Sequence, residues 1–303
     1  MFVGHKKQLK SLEDSLDKNK LSQAYIFSGP ESVGKFLLAK MFGVSLINGE
    51  SKIIDNFDNS QAKQDIDMEI LSPQVIEKKG IIKVKDIDVD GIREAQKKLA
   101  MFPSIGKRRV LIINDAHRLT ISSQNALLKS LEEPNSSSII ILVTHKEGRI
   151  LKTIKSRCQR LNFNLVSFDE IKHGFKDEIN TETLERVTIF SMGKPGEVRR
   201  ILEDKNLINQ RELLLKELNS IFNMGINEKF DLAQDLSKNI QQTIEKLEFW
   251  IWIIRVQSYK NIRNTELLLK NYAIIKKIEE VLNKIKNPSF NGRLILENLF
   301  LSL

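Results

Sequence analysis

The stretch Ala24-Tyr25-Ile26-Phe27-Ser28-Gly29-Pro30-Glu31-Ser32-Val33-Gly34-Lys35-Phe36 decides how the first half of this chain folds. Ala24 to Ser28 reads as a short buried strand, and the glycine-bounded loop behind it opens into a helical pattern. Strand, loop and helix in that order, with this spacing of glycines and lysine, make a phosphate-binding loop. The glycines let successive backbone N–H groups curl round an anion, and Lys35 reaches its outer oxygens. Gly29, Gly34 and Lys35 are therefore candidate nucleotide-binding residues. The next position ordinarily carries Ser or Thr, whose hydroxyl holds Mg²⁺. Here it is Phe36, which has no oxygen to offer. The charge on a transferring phosphoryl group would be poorly neutralised, and hydrolysis is expected to be severely impaired. A chance glycine turn is the competing reading, and the strand and helix on either side weigh against it.

Working outward, Val110-Leu111-Ile112-Ile113-Asn114-Asp115 has the shape of a Walker B strand, in which apolar residues end in two acids. The first acid normally helps to hold Mg²⁺ and the second orients the attacking water. Asn114 stands at the first position, and an amide binds Mg²⁺ more weakly than a carboxylate. Asp115 stands where a longer glutamate is usual. An apolar strand ending in Asn-Asp is unspecific by itself. Beside the phosphate loop it is a second defect in the same metal site, and two losses on one ion argue against an ATPase.

The rest of the first half keeps the rhythm of a parallel sheet wrapped by helices, an α/β pattern. Four strands are expected, at Ala24–Ser28, Arg109–Asn114, Ile139–Thr144 and Arg160–Phe163. An amphipathic helix from Ser122 to Glu133 is closed by Pro134, and the polar run Asn48 to Gln64 reads as a surface loop. Beyond Phe163 helical periodicity dominates. Ser167 to Asp204 reads as a small helical unit, broken at Gly193-Lys194-Pro195-Gly196 before its last helix. Long amphipathic helices follow at Ile240–Tyr259 and Thr265–Lys286, with a last one at Asn291–Leu303. The expected division is residues 1–164, 165–204 and 205–303.

Bulk properties exclude several classes. The 303 residues are 41% hydrophobic, which allows a real core in more than one unit. The most apolar run, Phe249 to Val256, is far too short to span a bilayer, and no signal sequence opens the chain. The lone Cys158 can make neither an internal disulfide nor a cysteine-based zinc site, which fits a reducing, cytoplasmic setting. A net charge of +9 suits a polyanionic partner or a merely solvated lysine-rich surface equally well.

Longer motifs narrow the field. Asp115-Ala116-His117-Arg118-Leu119, then Gln124-Asn125-Ala126-Leu127-Leu128-Lys129-Ser130-Leu131-Glu132-Glu133-Pro134, resemble the AAA+ clamp-loader family of the bacterial DNA polymerase III holoenzyme. Gln23 to Pro30, Ser156-Arg157-Cys158 and the terminal Asn291 to Glu297 extend that likeness over nearly the whole chain. The resemblance implies a RecA-like AAA+ domain with a degenerate phosphate loop, a small helical lid, and an all-helical collar that joins five subunits in a ring. It puts Thr144 at the sensor 1 position. It makes Ser156-Arg157-Cys158 the motif whose arginine projects into a neighbouring subunit's ATP site, so Arg157 is the expected arginine finger in trans. Gly196 falls where such motors carry the sensor 2 arginine, and Lys194 is a partial substitute. The implied partners are clamp-loader ATPase subunits and a delta subunit in the ring, the sliding clamp, and primer-template DNA through the complex. The four-cysteine zinc module of many relatives is excluded. No cofactor is expected to be required and no metal ligand is assigned, with weak ATP, ADP or phosphate binding without Mg²⁺ left open. The implied function is a non-hydrolysing loader subunit; a hydrolysing motor subunit or another AAA+ ATPase of DNA metabolism is the alternative.

Overall fold

The apolar runs become the centre of a five-stranded parallel sheet. In a computed structural model, which describes residues 2–53, 66–78, 81–204, 206–287 and 289–303, β1 spans Ala24–Ser28, β5 Arg109–Ile113, β6 Ser138–Thr144 and β7 Gln159–Asn162. The strand order is β2-β5-β6-β1-β7, and every neighbouring pair is parallel. The four expected strands are thus present with their ends shifted by a residue at most. Every residue of β1, β5 and β6 is buried, as it must be when helices cover both faces.

The strand period divides the core in two. Tyr25, Phe27, Val110, Ile112, Ile139, Ile141 and Val143 face one apolar cluster, which also holds Leu12 of α1 (Lys6–Asp17) and much of α2 (Lys35–Asn48). Ala24, Ile26, Leu111, Ile113, Ile140 and Leu142 face the other, with residues of α3 (Val89–Leu99) and α4 (Ile121–Glu132). The start of α4 is set by Thr120, whose hydroxyl accepts a hydrogen bond from the Ser123 N–H at 3.1 Å.

Three features depart from the sequence reading. β2, Met68–Leu71, adds an edge strand beside β5, and β3 (Gln74–Lys78) pairs with β4 (Ile81–Lys85) as an antiparallel hairpin. Asn48 ends α2 instead of opening a loop, and Gly49 stops that helix in the left-handed region at φ 67°. Most of the remaining expected loop, residues 54–64, lies outside the described residues. β2 is fastened at its start by Asp67, whose carboxylate accepts N–H bonds from Ser104, Ile105 and Gly106 at 2.8, 3.0 and 2.9 Å. Burial acts to raise that carboxyl's pKa, and the three N–H groups and Arg109 outweigh it and lower it.

The chain divides into two compact units, Met1–Asn180 with Gly193–Gly196, and Thr181–Met192 with Glu197–Leu303. The second unit is helical among its described residues. It contains α9 (Asn206–Ile221), α10 (Ile226–Ser237), α11 (Ile240–Lys260), α12 (Thr265–Ile285) and α13 (Gly292–Leu301), following α5 to α8 at Lys152–Lys155, Phe168–Phe175, Thr181–Phe190 and Pro195–Glu203. Trp250 of α11 is fully buried, and its indole N–H donates to the Leu214 carbonyl at 3.0 Å. No described helix is long and apolar enough to cross a membrane.

Candidate functional site

Parallel strands bring their carboxyl ends to one edge of the sheet, the usual place for a ligand in such folds. Ser28 and Thr144 are register partners at the ends of β1 and β6, so the phosphate loop and Thr144 lie side by side. Asn114 and Asp115 follow β5, the next strand along. The sequence-predicted Gly29, Gly34, Lys35, Asn114, Asp115 and Thr144 therefore gather at this edge.

The loop is built around its own backbone. Gly29 has φ 149°, Ser32 φ 61° and Gly34 φ 99°. A Cβ on Gly29 would lie 2.0 Å from the Phe163 carbonyl oxygen, so glycine is required there by the chain running out of β7. Lys35 is buried, and its ammonium donates to the Pro30 carbonyl inside the loop. Burial pulls its pKa down to about 8, against the pull of Glu31 and Asp115. An anion in the loop would relieve that cost, so phosphate chemistry fits these residues.

Mg²⁺ chemistry fits them poorly. The Phe36 ring packs against the core cluster behind the sheet, and the Lys40 ammonium sits 4.7 Å from its centroid. It occupies its position as a packing residue. Gly196, the residue expected at the sensor 2 position, donates its N–H to the Ser32 carbonyl at 2.8 Å. A Cβ there would lie 2.8 Å from the same oxygen, so any side chain at 196 must displace this contact.

Sequence reasoning missed the groups that crowd round Asp115. Asp115 adopts φ 49°, a conformation that aspartate tolerates, and the 3₁₀ turn Ala116–Arg118 starts from it. His117 on that turn is buried, and its ring stands edge-on to His145, centroids 4.2 Å apart. Thr144 Oγ1 lies 3.4 Å from His117 Nδ1 and accepts the Lys146 N–H at 3.1 Å. Burial first, then the positive charge of His145, Lys146, Arg118 and Arg149, pushes the His117 pKa down to about 4. His145 is lowered chiefly by burial, with Glu31 and Asp115 opposing. Only the pairing of two distant strand ends makes this cluster, and nothing in the spacing of the histidines announces it. Two more missed residues, Phe2 and His5, clasp the back of the loop. Phe2 would touch a Cβ on Gly34 at 3.0 Å, and the His5 ring lies 3.1 Å from the Val33 carbonyl oxygen.

Ser156, Arg157 and Cys158 are not part of this edge. They immediately precede β7, so they sit where the parallel strands begin, while the phosphate loop leaves where β1 ends. A five-residue strand separates the two edges by ~16 Å at about 3.3 Å per residue. The Arg157 guanidinium is partly exposed, donating to the Thr153 carbonyl at 2.9 Å and pairing with Glu132 of α4 at 2.9 Å. Ser156 Oγ donates to the same carbonyl at 3.0 Å. Cys158 packs against the second core cluster, and burial pushes its thiol up to about 12, which leaves it unreactive.

A family model described as DNA polymerase III, delta subunit, matches residues 4–167. DNA polymerase III subunit tau of Bacillus subtilis (strain 168) is 31% identical over 260 residues, which cover 81% of this chain and 44% of that protein. Subunit gamma of Buchnera aphidicola subsp. Schizaphis graminum is 28% identical over 306 residues, 92% of this chain and 83% of the relative. Subunit delta' of Pseudomonas aeruginosa is 29% identical over 190 residues, covering 59% and 56%. The chain thus spans about half the length of the tau and delta' relatives. With the match running from Gly4 through the phosphate loop and Arg157 past the end of the sheet, the chain belongs to the DNA polymerase III delta-subunit family of clamp-loader proteins.

Proposed function

We propose that this chain is a delta-prime-like, non-hydrolysing subunit of a bacterial clamp loader, and that it supplies Arg157 to the ATP site of a neighbouring subunit. The observation that carries the reading is the Phe36 side chain, partly buried and packed against the core cluster, at the position where a hydroxyl would have to face Mg²⁺. Asn114 in place of the first Walker B acid supports it from the other side of the same ion. The in-trans role is supported by the position of Arg157 at the edge opposite its own phosphate loop, partly exposed and short of any reach to it. The loop itself serves as a silent anion pocket or a purely architectural turn.

In this reading residues 165–204 act as the lid and 205–303 as the collar of a five-subunit ring. The ring contains ATPase subunits and a delta subunit, and it opens the sliding clamp at primer-template DNA. The competing reading, a hydrolysing motor subunit, draws on the relatives named gamma and tau, and it requires the metal site that Phe36 and Asn114 lack. Replacing Phe36 with Thr alone leaves it silent, because Asn114 is unchanged.

The test is assembly. Mixed with a DNA polymerase III subunit that has an intact phosphate loop and with a delta subunit from the same source, the full chain should co-elute in one complex on size exclusion. That complex should turn over ATP faster when clamp and primed DNA are added. Failure to co-elute, or ATP turnover and clamp loading at full rate without this chain, would sink the proposal.

A further inference from the structure

We propose that Asp115, His117 and His145 form a binding site for a divalent transition-metal ion of the zinc class, at the carboxyl edge of the sheet beside the phosphate loop. One ligand atom from each residue lies within 4.8 Å of the other two. In a tetrahedral zinc site, metal–ligand distances of ~2.0–2.1 Å set neighbouring ligand atoms about 3.4 Å apart. His145 Nδ1 and Asp115 Oδ1 already stand at 3.5 Å, so only the wider separations, within 4.8 Å, must close, by at most about 1.4 Å.

The same distances are poor for direct hydrogen bonds. The His145–Asp115 contact, at 3.5 Å, is longer than a good N–H···O bond. The three side chains are turned together without satisfying one another, as expected of groups that share an ion. Asp115 and His117 come from one turn after β5, and His145 follows β6, the neighbouring strand. Two rigid strand ends therefore hold the ligands. The Thr144 hydroxyl at His117 Nδ1 is placed to fix that ring while its other nitrogen ligates, the outer-shell arrangement found around metal-bound histidines. Three protein ligands leave a fourth position open to water.

The donor set chooses the metal. Two imidazoles and one carboxylate suit zinc, copper, nickel or cobalt; Mg²⁺ and Ca²⁺ demand oxygen ligands. The site is therefore distinct in residues and chemistry from the Mg²⁺ position of a phosphate-loop ATPase, whose ligands at 36 and 114 are lost. It stands whether or not the chain supplies Arg157 in trans.

The experiment uses the tag-free full chain, stripped with a chelator and titrated with Zn²⁺ against a chromophoric zinc indicator, with Mg²⁺ in large excess. One Zn²⁺ per chain is expected, with a matching rise in melting temperature. His145→Ala and His117→Asn should each weaken binding by about ten-fold or more, and Thr144→Val by about ten-fold. His173→Ala, an exposed histidine on α6, should leave it unchanged. Circular dichroism checks each variant for folding; should His117→Asn fail to fold, the partly exposed His145 decides alone. No stoichiometric Zn²⁺, displacement by Mg²⁺, or undiminished binding in a folded His145→Ala would overturn the proposal.

Discussion

Replacing Arg157 with alanine should leave the assembled complex intact and lower ATP turnover at the adjacent motor site by about a thousand-fold. An arginine supplied in trans is worth ~10³ to 10⁵ in rate in other phosphoryl-transfer systems, because it neutralises charge that develops only in the transition state. What holds Arg157 in the isolated chain is weak. Its partners are the Thr153 carbonyl and Glu132, with side chains 36% and 51% exposed across the ion pair. Such a surface pair contributes about 0–1 kcal/mol, so swinging the guanidinium towards a neighbour costs little beside a gain of ~4 kcal/mol in the transition state. Two controls sharpen the result. Arg157→Lys keeps the charge and loses the planar fork, and should recover only part of the rate. Glu132→Ala removes the parking partner and should leave turnover at or above the wild-type level. The measurement is single-turnover hydrolysis in complexes whose only competent ATP site borders this chain. Undiminished hydrolysis in the Arg157→Ala complex means that the arginine is a solvated surface charge.

The second large effect is on stability. Gly29→Ala should cost ~3 kcal/mol or more, even with no nucleotide present. At φ 149° an L side chain is strained, and the added Cβ would lie 2.0 Å from the Phe163 carbonyl oxygen. That carbonyl cannot step aside cheaply, because the Phe163 N–H is bonded to the Ser28 carbonyl at 2.7 Å as β7 leaves β1. Gly34→Ala should be milder. Position 34, at φ 99°, is strained for a side chain too, but the nearest atom its Cβ would meet is on the Phe2 ring, at 3.0 Å, and not on the backbone. A urea midpoint lowered clearly more by Gly29→Ala than by Gly34→Ala supports this order; equal or negligible effects count against it. The comparison bears on function too. If Gly29 is demanded by the sheet, its presence says nothing about a bound phosphate.

Much of the fold was legible because the three central strands, β5, β6 and β1, are apolar on both faces. Runs such as Val110-Leu111-Ile112-Ile113 have no other way to be buried at that length. The edge of the sheet was not legible. Met68-Glu69-Ile70-Leu71 is short, carries a charge, and becomes a strand only because β5 offers it an open edge. In the candidate site, Gly29, Gly34 and Lys35 were readable from spacing, since a phosphate loop is a local structure. Phe36 and Asn114 were readable as departures from it. His117 and His145 were not, because their proximity comes from the strand pairing of β5 and β6. The side of the sheet on which Arg157 lies, and its bond to Glu132, likewise needed the topology.

The central claim is that this chain does not fire its own site, and steady-state phosphate release by the purified full chain at saturating Mg²⁺ and ATP tests it most directly. The expected result is release no faster than a protein-free blank, unchanged by Lys35→Ala. Robust Mg²⁺-dependent turnover that Lys35→Ala abolishes would contradict it.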